Sequence, residues 1–596
     1  MADATAPATS TTPLWLAGPS ERRLQEISSA ITSRAPRSPK YTAAILEDVA
    51  ALRRLAQSFL LCANAYSSPI LRLPPELMRE IFANVAALEP TKPSMLGWIR
   101  LGHVNSTFRS ILSNMHQLWA SAVCDVSQRA SNTVFARAGN LPLTIHLDDE
   151  NESIEAYRIQ YAMSHLAIAR HLKIREYDPD TVLWTLQPRE MSGRALPFLE
   201  TLEVEAIHRP DRDADWLGTD VYGLRPVLAP RLRIVRLTNI FIPFPAENLT
   251  VLVIERRMFS EDGSIPNQDD VLPSPEQVLD LLRRCSNVEH LRLENSIPEL
   301  TPLPERLLPT LSIPLPHLKI GDLWAEMDRL TALWSHLVPS PNARLRINPD
   351  GIDVPSAYTE IVDRDRLSFL ASFQRHISTR HCDRPVAIAM DFDNYDEFKT
   401  YCGFYRRKPH FVTSTWEGLS IFGEECIGEA YASCLDITFS LCKWDQQVSF
   451  GAFLDSIPSA FLTTIDTLDT RAMSGDDLRR LFLRLPLLHT VHIRDCNTQV
   501  LEVLSASSPR WILPQLRHLR LEPISLCVER NESMTIDDVP FQDIIDMIFL
   551  RATAGLRLQS LKVTWVTLVN TDQAAMDTFT TSLKAIVPAV EVILPS

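Results

Sequence analysis

A chain of 596 residues is about twice the size at which one hydrophobic core stops growing, so a single compact domain is excluded. Apolar residues at 45% and charged residues at 22% supply ordinary material for burial. The formal charge of −14, with no run of Lys and Arg, disfavours nucleic-acid binding, which needs a basic patch to release counterions; 17 glycines against 42 prolines argue against glycine-rich phosphate loops.

The opening Met1–Pro13 lacks the basic start and apolar core of a secretory signal, and no later stretch approaches 18 uninterrupted apolar residues, so neither entry into nor passage through a membrane is expected. Residues 1–18 read as a disordered tail. Over 19–66, apolar residues fall at helical spacing, first at Leu24, Ile27 and Ile31, then at Ile45, Val49, Leu52, Ala56 and Phe59. The second series is heptad-like but spans little more than two heptads, which suits a helical hairpin packed on itself or on the next domain rather than a long coiled coil.

In the next segment Pro74 and Pro75 stand where a helix begins and Glu76 falls in its first turn, both favourable at a helix N-terminus. Leu77, Ile81 and Val85 share one face, widened by Met78 and Phe82. The linker Leu88–Ser94 leads to a second predicted helix over Leu96–Leu112, with a stripe of Leu101, Val104, Phe108 and Ile111, and Leu118-Trp119 forms a third anchor. Three short helices with this many large apolar side chains leave surface over for a partner.

Residues 67–123 resemble the F-box, whose signature runs L-P-x-E-L, I-apolar, V-C-x-x-W/F-R and L-W. The matching positions are Leu73, Pro74, Glu76, Leu77, Ile81, Phe82, Val104, Phe108, Arg109, Leu118 and Trp119. Asn105 stands where the family usually has Cys, and Phe108 where it more often has Trp. Residues Ala136–Leu147 are similar to the strand that follows the F-box in many fungal members with upstream helices. The resemblance implies a non-catalytic substrate receptor in which Leu73, Pro74, Glu76, Leu77, Ile81, Phe82, Val104, Phe108, Leu118 and Trp119 bind a Skp-type adaptor on a cullin scaffold. The rest of the chain would then hold a target protein of unknown identity.

Beyond residue 130 short L-x-x-L-x-L pieces recur, among them 199–204, 232–237, 249–254, 288–293, 488–493, 516–521 and 558–563. Gln277–Leu293 also aligns without gaps on Asp477–Ile493, each reading as a helix followed by a strand. Units with one apolar face per element need stacked neighbours to bury it, so the expected fold class is α/β. The N-terminal helical hairpin and three-helix F-box would be followed over 130–596 by an irregular leucine-rich-repeat-like solenoid. The strand starts are irregularly spaced and lack an asparagine ladder, and whether 349–442 continues the array or interrupts it is open.

No nucleophile elbow, P-loop, zinc-protease helix or dinucleotide fingerprint occurs. Asp391 and Asp393, after the apolar run that starts at Val386, faintly resemble the paired carboxylates of haloacid-dehalogenase-like phosphotransferases, which act as nucleophile and acid/base. Tyr395 replaces the hydroxyl residue of that motif, and a polar strand-to-helix loop is the better reading. His290, His489, His492 and His518 fall in or beside strands and read as solvated or groove-facing; Trp324 and Trp334 read as core of a helical stretch over 322–337. Ten cysteines without a Cys-x-x-Cys pair read as reduced small hydrophobes, which points to the cytoplasm or nucleus. No metal or cofactor is expected.

Overall fold

A computed structural model describes residues 14–33, 38–92, 95–148, 156–175, 191–205, 225–256, 275–298, 312–340, 343–350, 387–393, 399–405, 433–440, 459–471, 474–506, 511–523, 525–527, 538–565, 567–569 and 573–593, with a few isolated positions between them. The chain divides into two compact units, Met1–Thr91 with Met95–Met115, and Lys92–Ser94 with His116–Ser596.

The first unit is helical. In α1 (Leu14–Thr32) and α2 (Pro39–Ser67), Arg23 lies nine residues before the end of one helix and Asp48 nine after the start of the other. Their 2.9 Å ion pair therefore closes an antiparallel hairpin, and the same guanidinium lies over the Tyr41 ring. The half-buried positions Tyr41, Ala44, Ile45 and Asp48 form one face of α2. A 3₁₀ turn, Pro69–Arg72, leads into α3 (Pro75–Leu88), which begins on Pro75 as the fixed proline φ favours and buries Met78 and Phe82. After it come a second 3₁₀ stretch, Gly97–His103, and α4 (Ser106–Ser113).

The single second helix expected over 96–112 is thus broken. Gly97 takes φ +50°, and a Cβ there would meet the Pro90 carbonyl oxygen at 2.5 Å, so only glycine fits. Asn105 then starts α4 afresh, its Oδ1 accepting from the Phe108 N–H at 2.8 Å.

The second unit opens with α5 (His116–Ser121), α6 (Gln128–Ala138) and α7 (Ala156–His165). Its strands up to residue 350 are β1 (Leu143–Asp148), β2 (Ala169–Arg175), β3 (Thr201–Glu205), β4 (Ile234–Thr238), β5 (Val251–Glu255), β6 (His290–Glu294), β7 (Ile313–Leu315), β8 (Ile320–Glu326), β9 (Leu337–Pro339) and β10 (Arg344–Asp350). The rest are β11 (Ala387–Asp393), β12 (Lys399–Tyr405), β13 (Ser433–Ser440), β14 (Thr467–Arg471), β15 (Thr490–Cys496), β16 (His518–Pro523), β17 (Ser525–Cys527), β18 (Asp538–Pro540), β19 (Ser560–Thr564), β20 (Thr567–Val569) and β21 (Ala589–Ile593).

Sixteen of these strands make one sheet, in the order β1-β2-β3-β4-β5-β6-β8-β10-β13-β12-β11-β14-β15-β16-β19-β21. Across β3 to β6 the L-x-x-L-x-L spacing becomes one buried apolar face: Leu202, Val235, Leu252 and Leu291 lie in register, as do Val204, Leu237, Ile254 and Leu293. Helices such as Pro275–Arg284, Gly475–Arg484, Phe541–Thr553 and Gln573–Ile586 supply buried leucines and phenylalanines to the core, including the stacked rings of Phe541 and Phe579. Arg551, wholly buried, donates to the carbonyls of Leu504, Ile512 and Leu513 at 3.1, 3.1 and 2.7 Å. Burial alone pulls its pKa down to about 10.

The expected helical F-box followed by a repeat solenoid is corrected by this architecture. The chain is an α/β protein built on large parallel sheets with helices. A solenoid repeats one strand-and-crossover unit, whereas here β12 runs antiparallel to both β11 and β13, which reverses the order of three strands within 349–442. Strands β17, β18 and β20, and separately β7 and β9, form sheets of their own. The recurring leucines report only that a strand has one buried face. The segment 322–326 is likewise strand β8 rather than helix, and its Trp324 is half-buried, whereas Trp334 ends the helix Met327–Trp334 and is core.

Candidate docking surfaces

In the first unit the apolar residues sort into inside and outside. Phe82 and Phe108 meet edge to face with ring centroids 4.9 Å apart, and Met78, Trp98, Ile111 and Leu112 are buried with them. Of the residues matching the F-box signature, Phe82 and Phe108 are therefore core. Leu77 remains 45% exposed and Val104 63% exposed, Leu73 and Ile81 are half-buried, and Pro74 and Glu76 face solvent. Met95 and Leu96, which the signature does not contain, are also exposed; their signal was an apolar pair beside the proline-containing linker. One helix-rich unit thus presents Leu77 and Val104 outward over a packed aromatic interior, the arrangement a docking surface needs.

Leu118 and Trp119 are placed elsewhere. Both belong to α5, in the sheet-bearing unit, where Trp119 is buried under the Arg137 guanidinium, 4.5 Å from its ring centroid. Nearby, Arg158 donates to the Cys124 carbonyl at 2.7 Å and lies 3.4 Å from Asp125. Burial pushes the Asp125 carboxyl up to about 7 despite that partner.

The second unit offers a different surface. Parallel sheets are commonly covered on both faces, yet here the face opposite the apolar one carries rows of alternating charge across neighbouring strands. Glu203 lies 3.5 Å from both Lys173 and Arg236, and Arg175 lies 3.2 Å from Glu205. Arg292 reaches Glu255 at 2.9 Å, Glu294 at 2.6 Å and Asp322 at 4.0 Å, and Asp322 also meets Arg346 at 3.6 Å.

On β14 to β16 the row tightens around His492, whose ring nitrogens stand 3.3 Å from Asp469 and 3.1 Å from Glu522. Arg494 pairs with Asp469 at 2.6 Å and Arg520 with Glu522. Burial pulls the His492 pKa down, but its two carboxylate partners outweigh burial and the net direction is up. Burial likewise raises the Glu522 carboxyl, while His492 and Arg520 prevail and hold it at about 2. His492 is thus an ion-pair hub rather than a solvated side chain; His290 is half-buried and His518 exposed, its Nδ1 2.8 Å from the Ser560 hydroxyl.

The backbone of Asp391 and Asp393 lies inside β11, opposite Tyr401 and Lys399 of the antiparallel β12, not in a strand-to-helix loop. Among the described residues no group of three His, Cys, Asp or Glu side chains is arranged to hold a metal ion, and no helix is long and apolar enough to cross a membrane. The chain matches no family model and no curated protein.

Proposed function

We propose that this chain is a non-catalytic docking adaptor. In this reading the F-box-like surface of the helical unit, from Leu73 to Phe108, engages a Skp-type subunit of a cullin-based ubiquitin ligase, and the charged sheet face of the second unit holds a target protein. The F-box-like signature at Leu73, Pro74, Glu76, Leu77, Ile81, Val104 and Phe108 suggests the class of partner. The observation that carries the reading is the outward placement of Leu77 and Val104 over a core already filled by Met78, Phe82, Trp98 and Phe108. Catalysis would be approximation, since holding a target lysine beside a charged conjugating enzyme raises effective concentration while other subunits do the chemistry. The exposed free thiol of Cys62 and the buried thiols of Cys124, Cys285 and Cys496 suit a reducing compartment, the cytoplasm or nucleus.

Affinity purification of tagged full-length protein tests this. Wild type should recover a Skp-type adaptor and a cullin, and Leu77→Asp with Val104→Asp should lose both while keeping the wild-type circular dichroism spectrum. Recovery of other proteins without adaptor or cullin would leave a binding scaffold outside any ligase and remove the proposal.

A further inference from the structure

A cleft of about 670 Å³ runs along the edge of the sheet where β3, β4, β5, β6 and β8 begin, and its walls come from the chain segments that lead into those strands. The backbone N–H groups of Arg233, Thr250 and Glu289 donate to the carbonyls of Glu200, Arg233 and Thr250 at 2.9, 2.8 and 2.8 Å, which fixes these residues in one row. Two residues earlier a second row is tied by side chains. Asn248 Nδ2 donates to the Pro230 carbonyl at 3.0 Å, and Asn287 Nδ2 to that of Glu247 at 2.7 Å. The cleft is therefore formed before any ligand arrives.

Its charges are unevenly satisfied. Glu200 pairs with Arg170 at 2.9 Å and Glu289 with Lys319 at 2.6 Å, and Lys319 holds the Glu289 carboxyl below its usual range. Both carboxylates are thus neutralised. The Arg231 guanidinium lies over the Phe198 ring, 5.6 Å from its centroid. Among the described residues neither Arg231 nor Arg233 has a carboxylate partner, and both are exposed. On a chain of net charge −14 they make a local positive site. Its complement is an anion, and a guanidinium stacked on a ring keeps its N–H edge ready for bidentate pairing with a carboxylate or phosphate.

Length decides what carries that anion. Strands spaced about 4.8 Å apart set the ends of the cleft roughly 19 Å from each other, the reach of about six extended residues. Small-molecule sites are compact and mostly apolar. This one is long and polar, with the amides of Asn248 and Asn287 and the Thr250 hydroxyl available to a peptide backbone.

We propose that this cleft binds an extended peptide segment of about six residues, with an anionic side chain of the peptide paired to Arg231 and Arg233. The site lies wholly in the sheet-bearing unit and does not depend on adaptor docking by the helical unit.

Fluorescence anisotropy of the full chain with a labelled hexapeptide alternating glutamate and alanine tests the site, beside the same peptide with phosphoserine or glutamine in place of glutamate. At least one of the two anionic peptides should saturate with a dissociation constant on the order of 100 μM, and the tighter of them identifies the anion as carboxylate or phosphate. The glutamine peptide should bind about tenfold more weakly or worse. Arg231→Ala with Arg233→Ala should cause a similar loss while keeping the wild-type circular dichroism spectrum, and so should Arg231→Gln with Arg233→Gln, which keeps most of each stem. Arg53→Ala with Arg54→Ala removes the same charge from exposed positions on α2 and should bind within about twofold of wild type. The proposal is overturned if neither anionic peptide saturates below about 1 mM, or if the glutamine peptide binds as well as they do. It is equally overturned if the cleft variants bind like wild type, or lose no more than the α2 variant does.

Discussion

Leu77 and Phe82 belong to the same helix and meet opposite demands. Phe82 is 1% exposed against Phe108, so Phe82→Ala should cost about 3–5 kcal/mol in denaturant unfolding, through lost burial and the cavity left behind. Leu77→Ala should leave stability nearly unchanged and act on binding. Arg551 makes a comparable case in the sheet unit: Arg551→Ala strips three carbonyls of their donor and opens a void, a loss of about 3–5 kcal/mol measurable as a lower midpoint. His492 adds a pH dependence. Its folded pKa lies above the ordinary value near 6.5, so its stabilisation is complete below that value and fades as pH rises through the folded pKa. Thermal melts should therefore show wild type and His492→Gln furthest apart near pH 6 and converging toward alkaline pH.

Among the elements, α3 was legible because Pro75, Glu76 and the Leu77–Ile81–Val85 spacing agree on one helix. The break before α4 was not, since the stripe of Leu101, Val104, Phe108 and Ile111 runs on through it and periodicity does not sense a change of helix. The signal that could have found it is the Asn105-Ser106 start, a side-chain cap inside an apolar pattern. Asn105→Ala should cost about 1 kcal/mol in equilibrium unfolding by freeing the Phe108 N–H. The strands themselves were legible for the opposite reason: Leu291 and Leu293, or Val491 and Ile493, alternate with polar residues and fall on one buried face.

At the scale of the whole molecule the same leucines misled, because a one-sided strand looks alike in a stacked repeat and in a broad α/β sheet. What decides between them is pairing order, and the pairings that join the reversed strands to the rest of the sheet, Leu345 with Leu435 and Ala387 with Thr467, link residues far apart in sequence. The candidate surfaces were legible in part. Composition and motif located Leu77 and Val104, but only packing separated them from Phe82 and Phe108, and only packing assigned Trp119 to the unit that holds the sheet. The charged face was not foreseen, since Glu203, Arg236, Arg292 and Asp322 come together only when the strands align. Titration of the purified full-length chain with a purified Skp-type adaptor tests the docking claim most directly. Saturable one-to-one binding by wild type, weakened about a hundredfold or more by Leu77→Asp with Val104→Asp, is the expected result. No binding by wild type, or equal binding by the folded variant, would contradict it.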